Sequence, residues 1–392
     1  MTFQTQDVDL LGLDEMADPS VTASKLLAGE RAYYYDKFNP PFYIFSRYDD
    51  VNSALLDADT YIEGHGNGPT FQPPLGVLSD APHHTFIRNL IQPDFLAKKI
   101  SDLQPRLEEI VNMLLDAVED KNVWDIHDDL SFPLPVIIIC EMLGLPTDDI
   151  AKFKRWADAS VARMCVEDPE PYIKQLDEMN NYVLEHIHLK RSADETDDLL
   201  SLIAHARQDG NYLPDEEAVG LAQQLFVAGN ETTTSLISNL IWRLMTIDDL
   251  WDDYCRGDID TESVITESLR FDPPLLGLFK TTSKELQIDD VTIPANTKVM
   301  MHYGAANRDP SAFPEPDRFD AHRVGKSAGK KQLSFSVGLH VCIGRELAKL
   351  EARVTLTALR ERYPNLQLVN EGERVGPFLF WGRSKLPVTL KS

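Results

Sequence analysis

The sequence predicts a mainly helical fold with small β-sheets, read as one domain over residues 1–392. Three observations carry this. Helical periodicity dominates from about residue 51 to about residue 250, broken only by short Pro and Asp clusters. Strand-like patterning is confined to two patches, at 32–51 and 285–303. No internal repeat, low-complexity stretch or Gly/Ser-rich linker divides the chain.

Each element has a local reason. Ala32 to Val51 carries aromatic strand-like runs on both sides of Asn39-Pro40-Pro41, a turn signal, and so reads as a hairpin. Phe132 to Pro146, FPLPVIIICEMLGLP, is the most apolar stretch; it includes Glu141 and prolines and is too short for a membrane span, so it reads as a core helix. Leu221 to Leu244 forms a long helical pattern opened by Pro214 and the acids Asp215, Glu216 and Glu217. Thr261 to Pro274 is a shorter helix that Pro273 ends. Glu285 to Tyr303 alternates apolar residues around turn residues, the second strand-rich patch. After Gly344, Leu347, Leu350 and Val354 recur at helical spacing.

Composition narrows the function classes. Apolar content of 43% with 26% charged residues suits a globular protein with a sizeable core. The formal charge of −25, from 38 basic and 63 acidic residues, argues against nucleic acid and anionic membrane surfaces as partners. The acidic N-terminus, MTFQTQDVDLLGLDEM, lacks the basic and apolar regions of a signal peptide, which points to the cytoplasm. Four cysteines (Cys140, Cys165, Cys255 and Cys342) with no CxxC predict neither a disulfide framework nor a zinc site.

The chemistry concentrates in Phe335 to Gly344, FSVGLHVCIG. Taken alone, Cys342 reads as a buried structural thiol. A cysteine at the start of a helix, however, meets free N–H groups that stabilise a thiolate, and thiolate is a preferred ligand for iron. Gly338 and Gly344 permit a tight path past a flat cofactor, and Phe335 is placed to shield the sulfur. The segment resembles the cysteine-ligand loop of the cytochrome P450 family, Phe-Gly-x-Gly-x-His-x-Cys-x-Gly. Ser336 departs from that pattern where it has glycine, a change expected to perturb the loop slightly.

Three further constellations fall in the family's order. Ala228, Gly229, Glu231 and Thr232 (AGNET) interrupt the long helix with residues of modest helix propensity. By themselves they read as a hydrated kink. They are similar to the family's oxygen-binding segment, which implies Thr232 as the hydroxyl and Glu231 as the relay acid of a proton delivery system, with Gly229 leaving room for dioxygen. Glu267 and Arg270, three apart on a helix, read alone as a solvated bridge; the resemblance implies a buried structural network with Arg318 as third member. His84 and Arg88, spaced i and i+4 after Asp80-Ala81-Pro82, match the family's heme-propionate donors. His340 joins them, and Lys280 stands where the family commonly has arginine, keeping the charge without the bidentate fork.

Length alone allows two or three average domains; the resemblance, spanning residue 32 to the end, implies one, a triangular helical prism around heme b. The implied reaction is insertion of one atom of dioxygen into an organic substrate, as hydroxylation or epoxidation. Electrons would come from NAD(P)H through a ferredoxin and its reductase, since the chain carries no flavin or iron–sulfur motif. The basic residues for docking a ferredoxin are Arg88, Lys98, Lys99, Lys330, Lys331, Arg345 and Lys349. A monomer is expected. By family position the substrate wall takes Phe71 and Gln72, then Gln224, Val227 and Ala228 on the long helix. Leu276, Leu278, Phe378, Phe380 and Trp381 complete it. This lining is apolar, and no Arg or Lys lies between Tyr61 and Val77, which favours a small-to-medium neutral hydrophobic substrate. Two alternatives stay open: a peroxide-driven peroxygenase of the same fold, and a non-catalytic heme-thiolate sensor or carrier.

Overall fold

A computed structural model describes residues 7–323 and 330–390. The first residues of the acidic N-terminal stretch therefore lie outside the described residues.

The long helix runs from Asp215 to Thr246 and forms the spine of the molecule. From Thr233 to Trp242 every residue is buried, which explains its Leu- and Ile-rich C-terminal half without a simple amphipathic stripe. The apolar helix Pro133–Leu143 packs against it, and its residues Pro133 to Cys140 are all buried. Gly144, left-handed at φ 67°, ends that helix as a C-terminal cap. The helix Arg345–Arg362 also contacts the spine, burying Leu347, Leu350 and Val354 as the spacing predicts.

The expected hairpin forms from Ala32–Tyr35 and Phe42–Phe45, with Ala32 opposite Phe45. It joins a five-stranded sheet in the order 32–35, 42–45, 298–301, 278–282, 61–62. The patch at 285–303 divides into Leu286–Ile288, Val291–Ile293 and Lys298–Met301, of which only the last enters that sheet. The strand Leu278–Thr282 lies outside the two predicted patches; it is buried on both faces, so its sequence shows no in–out alternation to read. A three-stranded sheet (366–368, 387–390, 123–125) and a two-stranded pair, 373–374 with 383–385, fold the C-terminal segment back onto the helices. Among the described residues no helix is long and apolar enough to cross a membrane.

Candidate active site

The middle of the spine helix departs from its ends. Ala228 is exposed and Val227, Gly229 and Thr232 are partly accessible, between the buried Leu225-Phe226 and the buried run Thr233 to Trp242. Accessible residues halfway along a core helix mark the wall of an internal hollow. At Gly229 a Cβ would make only an ordinary 3.6 Å contact with Ile139, and the neighbouring Ala228 is the most exposed residue of this turn.

Thr232 Oγ1 donates a hydrogen bond to the carbonyl of Ala228, one turn earlier, at 2.7 Å. That bond uses the hydroxyl proton, so towards the hollow Thr232 offers acceptor lone pairs rather than the donor expected from sequence. Glu231 is 6% exposed, and burial, with Asp158 adding repulsion and Lys154 opposing it, raises its pKa to about 7. A carboxyl tuned near neutrality can both give and take a proton.

The loop that carries Cys342 is built by its backbone. Cys342 N donates to Phe335 O at 2.8 Å, and Gly338, at φ 77°, passes so close to Leu55 O that a Cβ would sit 2.7 Å from it. Ser336 adopts φ 58°, so serine stands at a left-handed position that costs a non-glycine residue roughly 1 kcal/mol. Helix Arg345–Arg362 begins just after the cysteine, with Gly344 as its N-cap. Cys342 is exposed, yet its thiol is closely surrounded by protein. Burial pushes its pKa up, against the backbone N–H groups of Gly344 and Arg345 and the charges of Arg88 and Arg345, which favour thiolate.

His84 and His340 lie with ring centroids 4.2 Å apart. His84 Nδ1 and His340 Nε2 are buried without hydrogen-bond partners, and burial lowers the pKa of both rings, that of His340 to about 3. Orphaned ring nitrogens next to an accessible thiol, with open space at Gly344, fit a flat cofactor that carries its own acceptor groups. Arg88 donates to Val341 O at 2.9 Å, beside the cysteine, and keeps further N–H groups for a ligand. Lys280 is not a lone cation facing the hollow: its Nζ is 2.5 Å from Glu63 Oε1, in a buried pair that sequence reasoning missed. The partner follows the edge strand Tyr61–Ile62, and Glu63 N and Gly64 N both donate to Asp80, in the Asp80-Ala81-Pro82 segment.

Behind the loop, Glu267 accepts from Arg270 Nη2 at 2.7 Å and from Arg270 Nε at 2.9 Å. The third member of this network is Arg323, whose Nε is 3.0 Å from Glu267 Oε1, and not Arg318. The Arg318 side chain is 60% exposed and pairs with Glu315; only its carbonyl enters the network, accepting from Arg270 and Arg323. The sequence offered two arginines in one short stretch, and nothing local says which turns inward. Ser334 Oγ, donating to Leu269 O at 2.6 Å, ties the cysteine loop to the helix Thr261–Phe271.

The expected substrate wall is only partly assembled. Val227 and Ala228 face the hollow region, Leu276, Phe378 and Phe380 are buried, Leu278 is partly buried and Gln72 lies against Gly66. Phe71 is 47% exposed and sits under Lys298. Gln224 does not present a free amide: its Oε1 accepts from Val77 N at 2.9 Å and its Nε2 donates to Leu75 O at 2.8 Å. Trp381 belongs to the core, its Nε1 donating to Asp272 Oδ1 at 3.0 Å and its ring edge-on to Trp242.

The family model described as Cytochrome P450 matches residues 261–373. The chain is 35% identical over 354 residues to the erythromycin C-12 hydroxylase of Saccharopolyspora erythraea, covering 87% of each chain. It is 33% identical to the vitamin D(3) 25-hydroxylase of Pseudonocardia autotrophica, covering 89% of this chain and 88% of that one. Among solved structures, a Bacillus megaterium protein in complex with testosterone superposes with a TM-score of 0.87 at 28% identity, covering 97% of this chain and 99% of that chain.

Proposed function

The chain belongs to the cytochrome P450 family, as a monooxygenase, and on that premise we propose that it hydroxylates or epoxidises a neutral, hydrophobic substrate with electrons from a ferredoxin and an NAD(P)H-dependent reductase. The family implies heme, and when bound the heme supplies the activation of dioxygen that amino-acid side chains cannot perform. Cys342 is the residue that would ligate its iron, and His84, His340 and Arg88 would hold its propionates.

The observation that carries the reading is the pairing of Thr232 and Glu231 on the accessible turn of a buried helix. Thr232, its own proton engaged by Ala228 O, would accept from and orient a water at Oγ1. Glu231 holds a proton near neutral pH and exchanges it through its carboxyl, which suits replenishment of that site. Phe335 packs against the main apolar core and its carbonyl accepts from Cys342 N, which would fix the loop that presents the sulfur.

The substrate class rests on the lining and on the relatives. With Gln224 occupied by the 75–77 backbone, the wall is more apolar than its sequence suggests, which supports a bulky neutral molecule of the macrolide or sterol kind. The carrier surface would draw on Lys331 and Lys349, because Lys98, Lys99, Lys330 and Arg345 already bridge to neighbouring acids and Arg88 is directed inward to Val341 O. The enzyme would act as a monomer.

The test uses purified holoprotein. Dithionite and carbon monoxide should give a thiolate-type Soret shift that Cys342→Ala abolishes. With a surrogate ferredoxin and reductase, a macrolide and sterol panel should drive NAD(P)H consumption and oxygenated product. Thr232→Ala should keep consuming cofactor while releasing peroxide. A thiolate spectrum without substrate-dependent consumption across the panel would overturn the catalytic reading.

A further inference from the structure

A second polar site lies away from the hollow, at the C-terminal two-stranded pair. Arg374 on Glu373–Arg374 and Arg383 on Arg383–Lys385 are direct cross-strand partners. Like charges placed opposite one another on a β pair are unfavourable, and these are also withdrawn from water. Arg383 is 7% exposed and Arg374 is partly buried. Their guanidinium groups lie on tryptophan faces: Arg383 is 3.7 Å from the centre of Trp242 and 5.0 Å from that of Trp381, and Arg374 is 4.8 Å from Trp381.

Neither arginine has an acidic partner among the described residues. The Nε of each is buried without a hydrogen bond, and so is the indole Nε1 of Trp242 in the same cluster. Arg374 Nη2 reaches only the carbonyl of Phe380, at 3.3 Å. The nearby buried carboxylate, Asp272, is already saturated: Arg243 binds it through Nε at 2.7 Å and Nη2 at 2.8 Å, and Trp381 Nε1 takes Oδ1 as well. Arg308 adds another positive charge close to Asp272 and pairs outward with Asp317. Burial, with repulsion from Arg383, pulls the pKa of Arg374 down to about 10, and burial, with Arg243 adding repulsion and Asp272 and Glu371 opposing it, pulls that of Arg383 down to about 10, which leaves both charged at neutral pH. Asp272 and Glu371 attract Arg383 through space, but no carboxylate among the described residues is in contact with either guanidinium.

We infer that Arg374 and Arg383 form a binding site for a small oxyanion of the phosphate or sulfate class. Two planar forks with unpartnered N–H groups match the tetrahedral oxyanion's several acceptors, and the tryptophan faces fix the guanidinium planes. Bound there, the anion removes the cross-strand repulsion and anchors the segment between the two arginines. That segment contains Phe378 and Phe380 and bonds the chain around Pro274 through Leu379 O to Leu276 N and Trp381 N to Pro274 O. The site thus stabilises one edge of the expected substrate wall without touching the cysteine loop.

The experiment is a melting series on full-length holoprotein in inorganic phosphate, with ionic strength held constant by sodium chloride. Phosphate should raise the melting temperature by about 2 °C or more, climbing with the logarithm of concentration once the site fills. Arg374→Gln and Arg383→Met should each abolish the phosphate-specific rise, whereas Arg353→Gln, at an exposed pair with Glu262, should keep it. Arg374→Glu supplies an internal carboxylate and should melt higher than the parent in phosphate-free buffer while ignoring phosphate. A parent protein indifferent to phosphate at constant ionic strength, or variants at 374 and 383 that respond as the parent does, would overturn the site. Calorimetric titration with phosphate, expected to show one binding event in the parent and none in Arg374→Gln, decides the matter if Arg383→Met fails to fold.

Discussion

Lys280 and Glu63 form an ion pair 2.5 Å long whose side chains are only 5% and 8% exposed. The lysine that the family pattern points at a heme propionate is thus matched first to a carboxylate of the protein. Removing one partner strands the other charge in a poorly solvated place, while removing both does not. Glu63→Leu alone should therefore lower stability by about 3–5 kcal/mol, and Glu63→Leu with Lys280→Met should recover most of it. Urea unfolding of the two variants checks this; equal losses would mean that the pair is not coupled.

Glu231 makes a pH prediction with a definite sign. Its ordinary pKa of 4.5 rises to about 7 in the folded protein. Between those values the native state holds a proton that the unfolded chain has lost. Its contribution is therefore fully present below pH 4.5 and disappears as pH rises through about 7. Glu231→Gln, which stays neutral, should be more stable than the parent at pH 8 by about 3 kcal/mol, with the gap closing towards pH 5. Oxygen-dependent turnover should fall in the same variant. Thermal melts across pH 5 to 8 read the first effect and product formation reads the second.

Arg323 and Arg318 separate the buried network from its surface neighbour. Arg323→Ala removes a guanidinium that bonds Glu267 and three backbone carbonyls, and should cost about 3–5 kcal/mol and loosen heme retention. Arg318→Ala should stay within about 0.5 kcal/mol of the parent, because only its carbonyl participates. Denaturant midpoints and the ratio of Soret to protein absorbance distinguish them.

Gln224 latches the 75–77 backbone to the spine helix by two hydrogen bonds, and Glu217 adds a third through Gly76 N while holding His83 at 2.7 Å. Gln224→Leu should leave global stability nearly unchanged and speed exchange at the Val77 amide by about fivefold, the worth of one hydrogen bond. Hydrogen exchange read by mass spectrometry over residues 72–78 tests it. No acceleration would mean that the apolar packing of Leu75 holds the loop unaided.

What the sequence determined by itself was whatever depends on nearby residues. Helical spacing located the spine, the apolar helix and the helix after Gly344, since 3.6-residue periodicity is a local property. The aromatic runs around Asn39-Pro40-Pro41 located the hairpin for the same kind of reason. The loop around Cys342 and the AGNET turn were legible because their residues sit within ten positions of one another. The tertiary structure alone decided which distant charges meet. Glu63 finds Lys280 across 217 positions, Arg323 displaces Arg318 at Glu267, and Arg374 faces Arg383 with no acid between them. A buried charge is stable only with a partner, and no rule of spacing names that partner until the chain has folded.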